Sequence, residues 1–422
     1  PLANHNVLLI TLDTTRADRL GCYGYAKAKT PALDAIAARG VLFEDAISQV
    51  PLTLPSHCTM MTGRFPKEFG VRNNNQAALG PTHPTLASIF KQYGYRTGAF
   101  VASFVLDSRF GLDRGFDGYD DEMSNVSMQT QPLDWEQPAN IIADRAIAWL
   151  DADKSKPFFA WVHFYDPHDP YTPPAEYPKS YDGEVAFMDS QIKRITDWLD
   201  KSGQRDRTLV VVVGDHGESF GEHGEEGHGM FLYHTSLHVP LVFAHPSLTA
   251  KPSRVADTVG AVDIFPTLLE LFAWPRPEGL LSVSLADLIR TGHAKPQDVY
   301  SESDYVWHSY GWAQQRSFTN PRWKFISSTR PELYDRKEDP GEKHNLWDTQ
   351  RPVGVELSNN LFKFYSDMKA VEAGKLPPSS VATAALAQLG YIKGSSLLSK
   401  DEFITANTVD PKDRLGVVVN YK

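Results

Sequence analysis

Four uninterrupted apolar runs punctuate the first 245 positions: NVLLITL (6–12), PFFAWVHF (157–164), TLVVVVGD (208–215) and VPLVFAH (239–245). They are rich in β-branched and aromatic side chains and do not alternate with polar ones, the pattern of strands covered on both faces of a largely parallel sheet. Between them lie helix-like stretches, TPALDAIAARG (30–40), TLASIFKQYGY (85–95), ANIIADRAIAWLDA (139–152) and EVAFMDSQIKRITDWLDKSG (184–203). The last two carry apolar residues at roughly helical spacing, and several end near glycine. This alternation predicts an α/β layered domain. From about residue 299 the character changes: VYSESDY, SYGWAQQRSF, RWKFISS and ELYDRKEDPG predict short strands of a small antiparallel sheet. After HNLWD (344–348) the chain turns helical and polar. The expected organisation is an α/β core over 1–298, an antiparallel subdomain over 299–346 and a helical or irregular extension over 347–422.

Composition narrows the classes. The 422 residues are 41% hydrophobic and 11% aromatic, enough for a sizeable core. A net charge of −10 argues against broad attraction to nucleic acid or anionic membranes. The longest apolar runs are far too short to span a bilayer. Cys22 and Cys58 are the only cysteines, which excludes a disulfide framework or zinc ribbon and leaves the compartment open. A chain beginning at Pro1 reads as processed or trimmed.

Candidate chemistry sits at strand ends, where functional groups gather in open α/β sheets. The first strand ends at Asp13; the run TLVVVVG ends on Asp215 and His216 side by side. Both features admit metal binding, and both admit ordinary capping and turn hydrogen bonds. In PLTLPSHCTMMTGRFP (51–66), PSHCTMMTG fits a short helix with Gly63 beyond its end, which puts Thr53 at or next to the N-terminus. Threonine there is an ordinary N-cap, and the same place favours anions. A hydroxyl shared with a metal held by Asp13, Asp215 and His216 would attack phosphorus. Position alone does not choose between cap and nucleophile.

In combination these segments are recognisable. NVLLITLDTTRADRLGCYGY, TLPSHCTMMTGR, PFFAWVHFYDPHDPY, VVVVGDHGESFGEHG and LYHTSLHVPL resemble, in this order, the sulfatase branch of the alkaline phosphatase superfamily. RWKFISSTRPELYDRKEDPGEKHNL is similar to that branch's C-terminal signature, so the resemblance runs over roughly 5–346. It implies a central mixed, mostly parallel sheet flanked by helices, with a smaller C-terminal antiparallel sheet. The family nucleophile lies in Cys-x-Pro-Ser-Arg, nine residues before Thr-Gly-Arg, and its cysteine becomes formylglycine. Counting back from Thr62 places Thr53 at that cysteine and His57 at the arginine. Cys58 falls five residues late and reads as helix packing. Threonine cannot yield the aldehyde, so no formylglycine is expected. Thr14 replaces the second of the usual paired aspartates. The Lys-x-His sulfate-binding pair is missing from TGAFVASFVL, where Ser103 takes one position.

What remains resembles the threonine-nucleophile relatives: phosphodiesterases, phosphonate monoester hydrolases and lipoteichoic-acid-synthase-like transferases. Their metal-site layout maps onto Asp13, Thr53, Asp215 and His216. One divalent ion is expected, manganese or zinc ahead of calcium or magnesium because imidazole is in the shell. A second metal would draw on Asp166, His168 and His228, but the usual Asp-x-x-x-His spacing is absent. The resemblance gives His168 and His228 roles at the leaving group, and Asn74 a role on a non-bridging oxygen, with Asn73 and Asn75 as register alternatives. It places His57 one turn from Thr53, to contact substrate or orient the threonine. Glu218 and Glu222 read as supporting contacts or a solvated loop; His223, His234 and His238 read as surface or core histidines. The expected activity is phosphate-ester hydrolysis, diester favoured, on a small-molecule or lipid or sugar ester. The alternatives are a sulfatase with another nucleophile, a phospho-head-group transferase, or a non-catalytic scaffold. Periplasmic or secreted location follows from family resemblance alone, and the C-terminal ALAQLGYIKG…DPKDRL resembles a segment that precedes helical repeats in some relatives. Oligomeric state is not encoded in these features.

Overall fold

The computed structural model describes residues 2–74, 77–123, 136–248, 253–293, 297–376 and 408–415. Asn75, most of ALAQLGYIKG…DPKDRL and the greater part of the expected extension after 376 lie outside the described residues.

The strands in chain order are β1 (Asn6–Leu12), β2 (Val41–Ile47), β3 (Arg96–Phe100), β4 (Gly118–Asp120), β5 (Phe158–Phe164) and β6 (Thr208–Gly214). There follow β7 (Ser219–Phe220) and β8 (Glu226–Gly227), then β9 (His238–Ala244) and β10 (Ser253–Gly260). The eight-stranded sheet has the order β10–β2–β9–β6–β1–β5–β3–β4, while β7 and β8 form a separate two-stranded ribbon. Only β9 runs against its neighbours; the other pairings are parallel. The expected mixed, mostly parallel sheet is therefore present. The four apolar runs supply β1, β5, β6 and β9, and all residues of β1, β5 and β6 are buried. Strands β2, β3, β4 and β10 carry charged, glycine or turn-forming residues and leave weaker patterns in sequence.

Strand alternation divides the core into two layers. Val7, Leu9, Phe159, Trp161, Val211 and Val213 face one side, where the helix Thr53–Thr62 contributes Leu54, Cys58 and Met61. Leu8, Ile10, Val162 and Val212 face the other, against the helices Ala139–Ala152 and Tyr181–Lys201. Cys58 is core packing, as expected. The helix Thr53–Thr62 ends at Gly63, whose φ is 65°. A Cβ there would meet the Phe265 ring at 2.7 Å, so glycine is required both for the left-handed turn and for the contact.

A second, antiparallel sheet follows: β11 (Val299–Ser303), β12 (Gln315–Thr319), β13 (Trp323–Ser327) and β14 (Glu332–Asp335), in that order. The helix Arg351–Asp367 covers it, sharing Leu357, Leu361 and Tyr365 with Tyr300, Phe318 and Leu333 in one core. Buried ion pairs tie this layer to the main body. Asp304, 2% exposed, bonds Arg316 of β12 at 2.5 Å and Arg72 of the main body at 2.8 Å.

Burial alone would raise the Asp304 carboxyl, but Arg316 and Arg72 outweigh it and hold the group well below the usual carboxylate range. A carboxyl depressed by folding stabilises above its unfolded pKa and loses that contribution as pH falls. Asp304→Asn is expected to cost roughly 3 kcal/mol at pH 7, because it leaves buried guanidinium charge uncompensated. The gap from wild type should narrow below about pH 4. Urea unfolding at pH 7 and pH 3 checks both statements.

Candidate functional site

Parallel pairing of β1 with β6 brings the residues after them together. Asp215 donates its backbone N–H to Leu12 O at 3.2 Å, and Asp13 donates its own to Phe164 O at 2.9 Å. Both carboxylates are 0% exposed. Asp215 Oδ1 accepts the backbone N–H groups of His216 at 2.7 Å and Thr14 at 3.2 Å. That second bond requires Thr14 at φ 47°, a left-handed conformation costly for a β-branched residue. The strained turn is held by Tyr181, whose hydroxyl donates to Thr14 O at 2.8 Å.

Thr53 is the first residue of its helix, as the sequence implied, but it does not cap it. The N-cap position is Leu52, with no side-chain cap. Instead Asn74 Oδ1 accepts the Leu54 N–H at 2.8 Å. The Thr53 hydroxyl is thereby released from capping and lies 3.3 Å from His216 Nε2. His216 Nδ1 sits 3.0 Å from Gly217 O, a pure acceptor, so Nδ1 carries the proton and Nε2 presents a lone pair. Burial, then the neighbouring His228, keeps this imidazole neutral well below its ordinary pKa.

The ligand atoms of Asp13, Asp215 and His216 all lie within 4.8 Å of one another. Asp13 Oδ1 and Asp215 Oδ2 are buried without a hydrogen-bond partner. Burial pushes the Asp13 carboxyl up to about 7, and burial together with the Asp13 charge raises Asp215 well above its ordinary value. Two orphaned buried carboxylate oxygens beside a neutral imidazole lone pair fit a divalent cation, which would reverse both penalties.

His57 is 0% exposed and fully engaged. Its Nδ1 donates to Thr53 O at 2.7 Å, and its Nε2 accepts from Thr11 Oγ1 at 3.0 Å, which in turn receives Trp161 Nε1–H at 2.9 Å. Both ring nitrogens are thus taken within the protein, one of them by the Thr53 carbonyl. Ser56 Oγ donates to Asp215 O at 2.8 Å, fastening the same helix to the end of β6.

His228 Nδ1 lies 3.2 Å from Glu218, which is 2% exposed and acts as a supporting contact. Burial would lower the His228 pKa, but the charge and hydrogen bond of Glu218 push it up to about 9. Its ring is 4.4 Å from His216 and 5.2 Å from His168 between centroids, so His228 lies next to both other imidazoles. His168 stacks on Tyr165 at 4.5 Å, with Nδ1 2.7 Å from Asp169 O. Asn74 Nδ2 is buried without a partner once Oδ1 has taken the helix amide. Ser103 is buried and pairs through its backbone with Glu136. Asp166 caps the helix Ala139–Ala152, accepting the Ala139 N–H at 2.9 Å, and is in none of the metal-compatible groups among the described residues.

Sequence reasoning missed His163. It lies inside the apolar run of β5, opposite Thr11, on the face toward the helix Thr53–Thr62. Ala102 N–H donates to His163 Nδ1 at 3.2 Å, so Nε2 carries the proton and donates to Asp13 Oδ2 at 3.3 Å. A histidine that breaks an otherwise apolar central strand was the available signal. His234 and His238 group with Asp45, but their rings stack in parallel at 4.3 Å, which prevents their in-plane lone pairs from converging on one ion. Asp45 is already held by Arg336 at 2.6 Å.

Comparison with known proteins agrees with this architecture. The family model "Sulfatase" matches residues 5–273, more than half of the chain, and "N-sulphoglucosamine sulphohydrolase, C-terminal" matches 221–367. The chain is 26% identical over 432 residues to the uncharacterized sulfatase YidJ of Escherichia coli (strain K12), covering 83% of this chain and 84% of that protein. It is 26% identical over 410 residues to the Delta 4,5-hexuronate-2-O-sulfatase of Bacteroides thetaiotaomicron, covering 81% and 84% respectively. The phosphonate monoester hydrolase of Agrobacterium radiobacter shares the fold, with a TM-score of 0.74 at 21% identity over 86% of this chain and 96% of that one. The chain belongs to the sulfatase family of hydrolases.

Proposed function

We propose that this protein hydrolyses phosphate esters, phosphodiesters ahead of monoesters and phosphonates, through a covalent intermediate on Thr53. The observation that carries the reading is the Thr53 hydroxyl itself. It is freed from capping by Asn74, backed by the His57 contact to its carbonyl, and directed at the cluster of Asp13, Asp215 and His216. Asp13, Asp215, His216 and the Thr53 oxygen would hold one divalent ion, manganese or zinc favoured by the mixed carboxylate and imidazole set. Such an ion lowers the pKa of the hydroxyl and offsets charge on the phosphoryl oxygens.

The chain's own residues supply the rest. The Thr53 oxygen attacks phosphorus in line, and the leaving oxygen departs on the opposite side. His228, held as imidazolium by Glu218, donates the proton that the departing alkoxide needs, with His168 beside it. The Asn74 Nδ2, buried without a partner, is the donor placed to meet developing negative charge. Water then attacks the phosphothreonine in a second in-line displacement, giving its proton to His228, now neutral, as the Thr53 oxygen leaves. A second reading, sulfate-ester hydrolysis, is favoured by the relatives, one of which is a Delta 4,5-hexuronate-2-O-sulfatase. Against it stands the methyl group on the Thr53 Cβ, which forbids conversion to formylglycine.

A panel of aryl phosphate monoester, diester, phosphonate and sulfate decides between the two. The diester is expected to give the highest kcat/KM, with Thr53→Ala reducing it by about 10³-fold or more. Sulfate turnover exceeding diester turnover would replace the first reading with the second. His228 must be protonated to act, so kcat is expected to fall as pH rises past about 9. Glu218→Gln removes the partner that raises it and should move that limb down by about one pH unit. For the metal, excess Mn²⁺ or Zn²⁺ should stabilise the wild type by about 2–3 kcal/mol at a hundredfold excess over Kd. Asp215→Asn should lose most of that stabilisation in thermal unfolding.

A further inference from the structure

A cavity of about 280 Å³ lies beside the site, lined by Glu136, Asp166 and Glu184 together with Tyr165 and Phe187. None of its lining residues is basic, and none of the three carboxylates forms an ion pair among the described residues. The segment 124–135 that leads into Glu136 contains no lysine, arginine or histidine. Glu184 is 5% exposed, and Asp166 Oδ2 is buried without a hydrogen-bond partner. Burial and then mutual repulsion push Glu136 and Glu184 up to about 8, and burial pushes Asp166 up to about 7. Carboxylates that gather without a counter-charge either take up protons, as these raised values describe, or ionise beside a cation that joins them.

The spacing of these carboxylates is not that of a compact metal site. Among the described residues, three groups of side chains bring their ligand atoms within 4.8 Å of one another, and these carboxylates are in none of them. A wider cavity with aromatic and proline walls suits an organic ammonium, whose charge is diffuse and whose alkyl groups pack against rings. The cavity also adjoins the reaction. Tyr165 lines it and stacks on His168 at 4.5 Å, while Glu136 pairs through its backbone with Ser103, next to the Ala102 amide that holds His163.

We infer that this cavity is a recognition subsite for a positively charged nitrogen, amine or quaternary ammonium, carried on the alcohol portion of the substrate. The inference rests on the proposed site at Thr53 for where the reacting group lies. The cationic end occupies the space among Glu136, Asp166 and Glu184, and His168 lies between it and the phosphoryl position.

The test is competitive inhibition by 2-(trimethylammonio)ethyl phosphate and its neutral carbon isostere, 3,3-dimethylbutyl phosphate, against an aryl ester substrate. The same pair is run as sulfates. The cationic member is expected to inhibit about tenfold or more better than its isostere. That ratio should fall toward one in Glu184→Gln and in Glu136→Gln, with circular dichroism and thermal unfolding checking that each variant is folded. Equal inhibition by both members of both pairs in the wild type overturns the subsite, whatever the variants do. A cationic preference confined to the sulfate pair keeps the subsite and overturns the phosphate reading, so the two failures are distinguishable.

Discussion

Two carboxylates that repel one another organise this molecule. Asp13 and Asp215 leave adjacent parallel strands at the same level, and the backbone bond from Asp215 N–H to Leu12 O fixes them side by side. Burial denies them water, so each needs local donors. Asp215 takes two backbone amides, one through the strained Thr14, and Asp13 takes the His163 ring. These donors satisfy one oxygen of each group and leave the other free toward a common space. The fold thus maintains a repulsive pair at some cost, which is sensible only where a cation offsets it.

The helix Thr53–Thr62 is set against this pair by polar contacts as well as packing. The relay from Trp161 through Thr11 and His57 to the Thr53 carbonyl uses every donor and acceptor once, so the helix has a single satisfied register. Ser56 adds a bond to the Asp215 carbonyl. At the other end of the chain of support, Asn74 caps the helix two residues after Arg72, which Asp304 anchors to the second sheet. The C-terminal layer therefore bears on the position of the nucleophile candidate without contributing a group to the cluster.

The legible parts of the sequence were those in which one residue breaks a strong pattern at its edge. Asp13 and Asp215-His216 close fully apolar strands, and the count from Thr62 selected Thr53 over the nearby Cys58, which is core. His163 breaks the pattern from within, and only the register of β5 on β1 shows that it faces Asp13. The choice between cap and nucleophile for Thr53 stayed open because Asn74 is twenty positions from the amide it serves, beyond the reach of local rules. Strands β2, β3 and β10 were illegible for a related reason: VLFEDAI, RTGAF and SRVADTVG contain charges whose partners, such as Arg336 for Asp45, come from distant segments. The small C-terminal sheet was read correctly in outline, although Tyr305–Tyr310 is a helix between two of its strands.

The choice between phosphate and sulfate turns on how a covalent intermediate is released. A formylglycine hydrate has a second hydroxyl on the same carbon, and loss of sulfate regenerates the aldehyde without attack on sulfur. Thr53 has a methyl group in that place, so any ester it forms must be opened by water at the central atom. For phosphorus, the proposed second displacement would reuse the groups of the first: Asp13 and Asp215 with the cation they would hold, the Asn74 amide, and His228, now neutral and able to take the proton of the attacking water. A phosphodiester and a sulfate monoester each carry one negative charge, so charge alone does not separate them; the release step does. The single β-methyl group of Thr53 therefore weighs against the substrate class that the family name suggests.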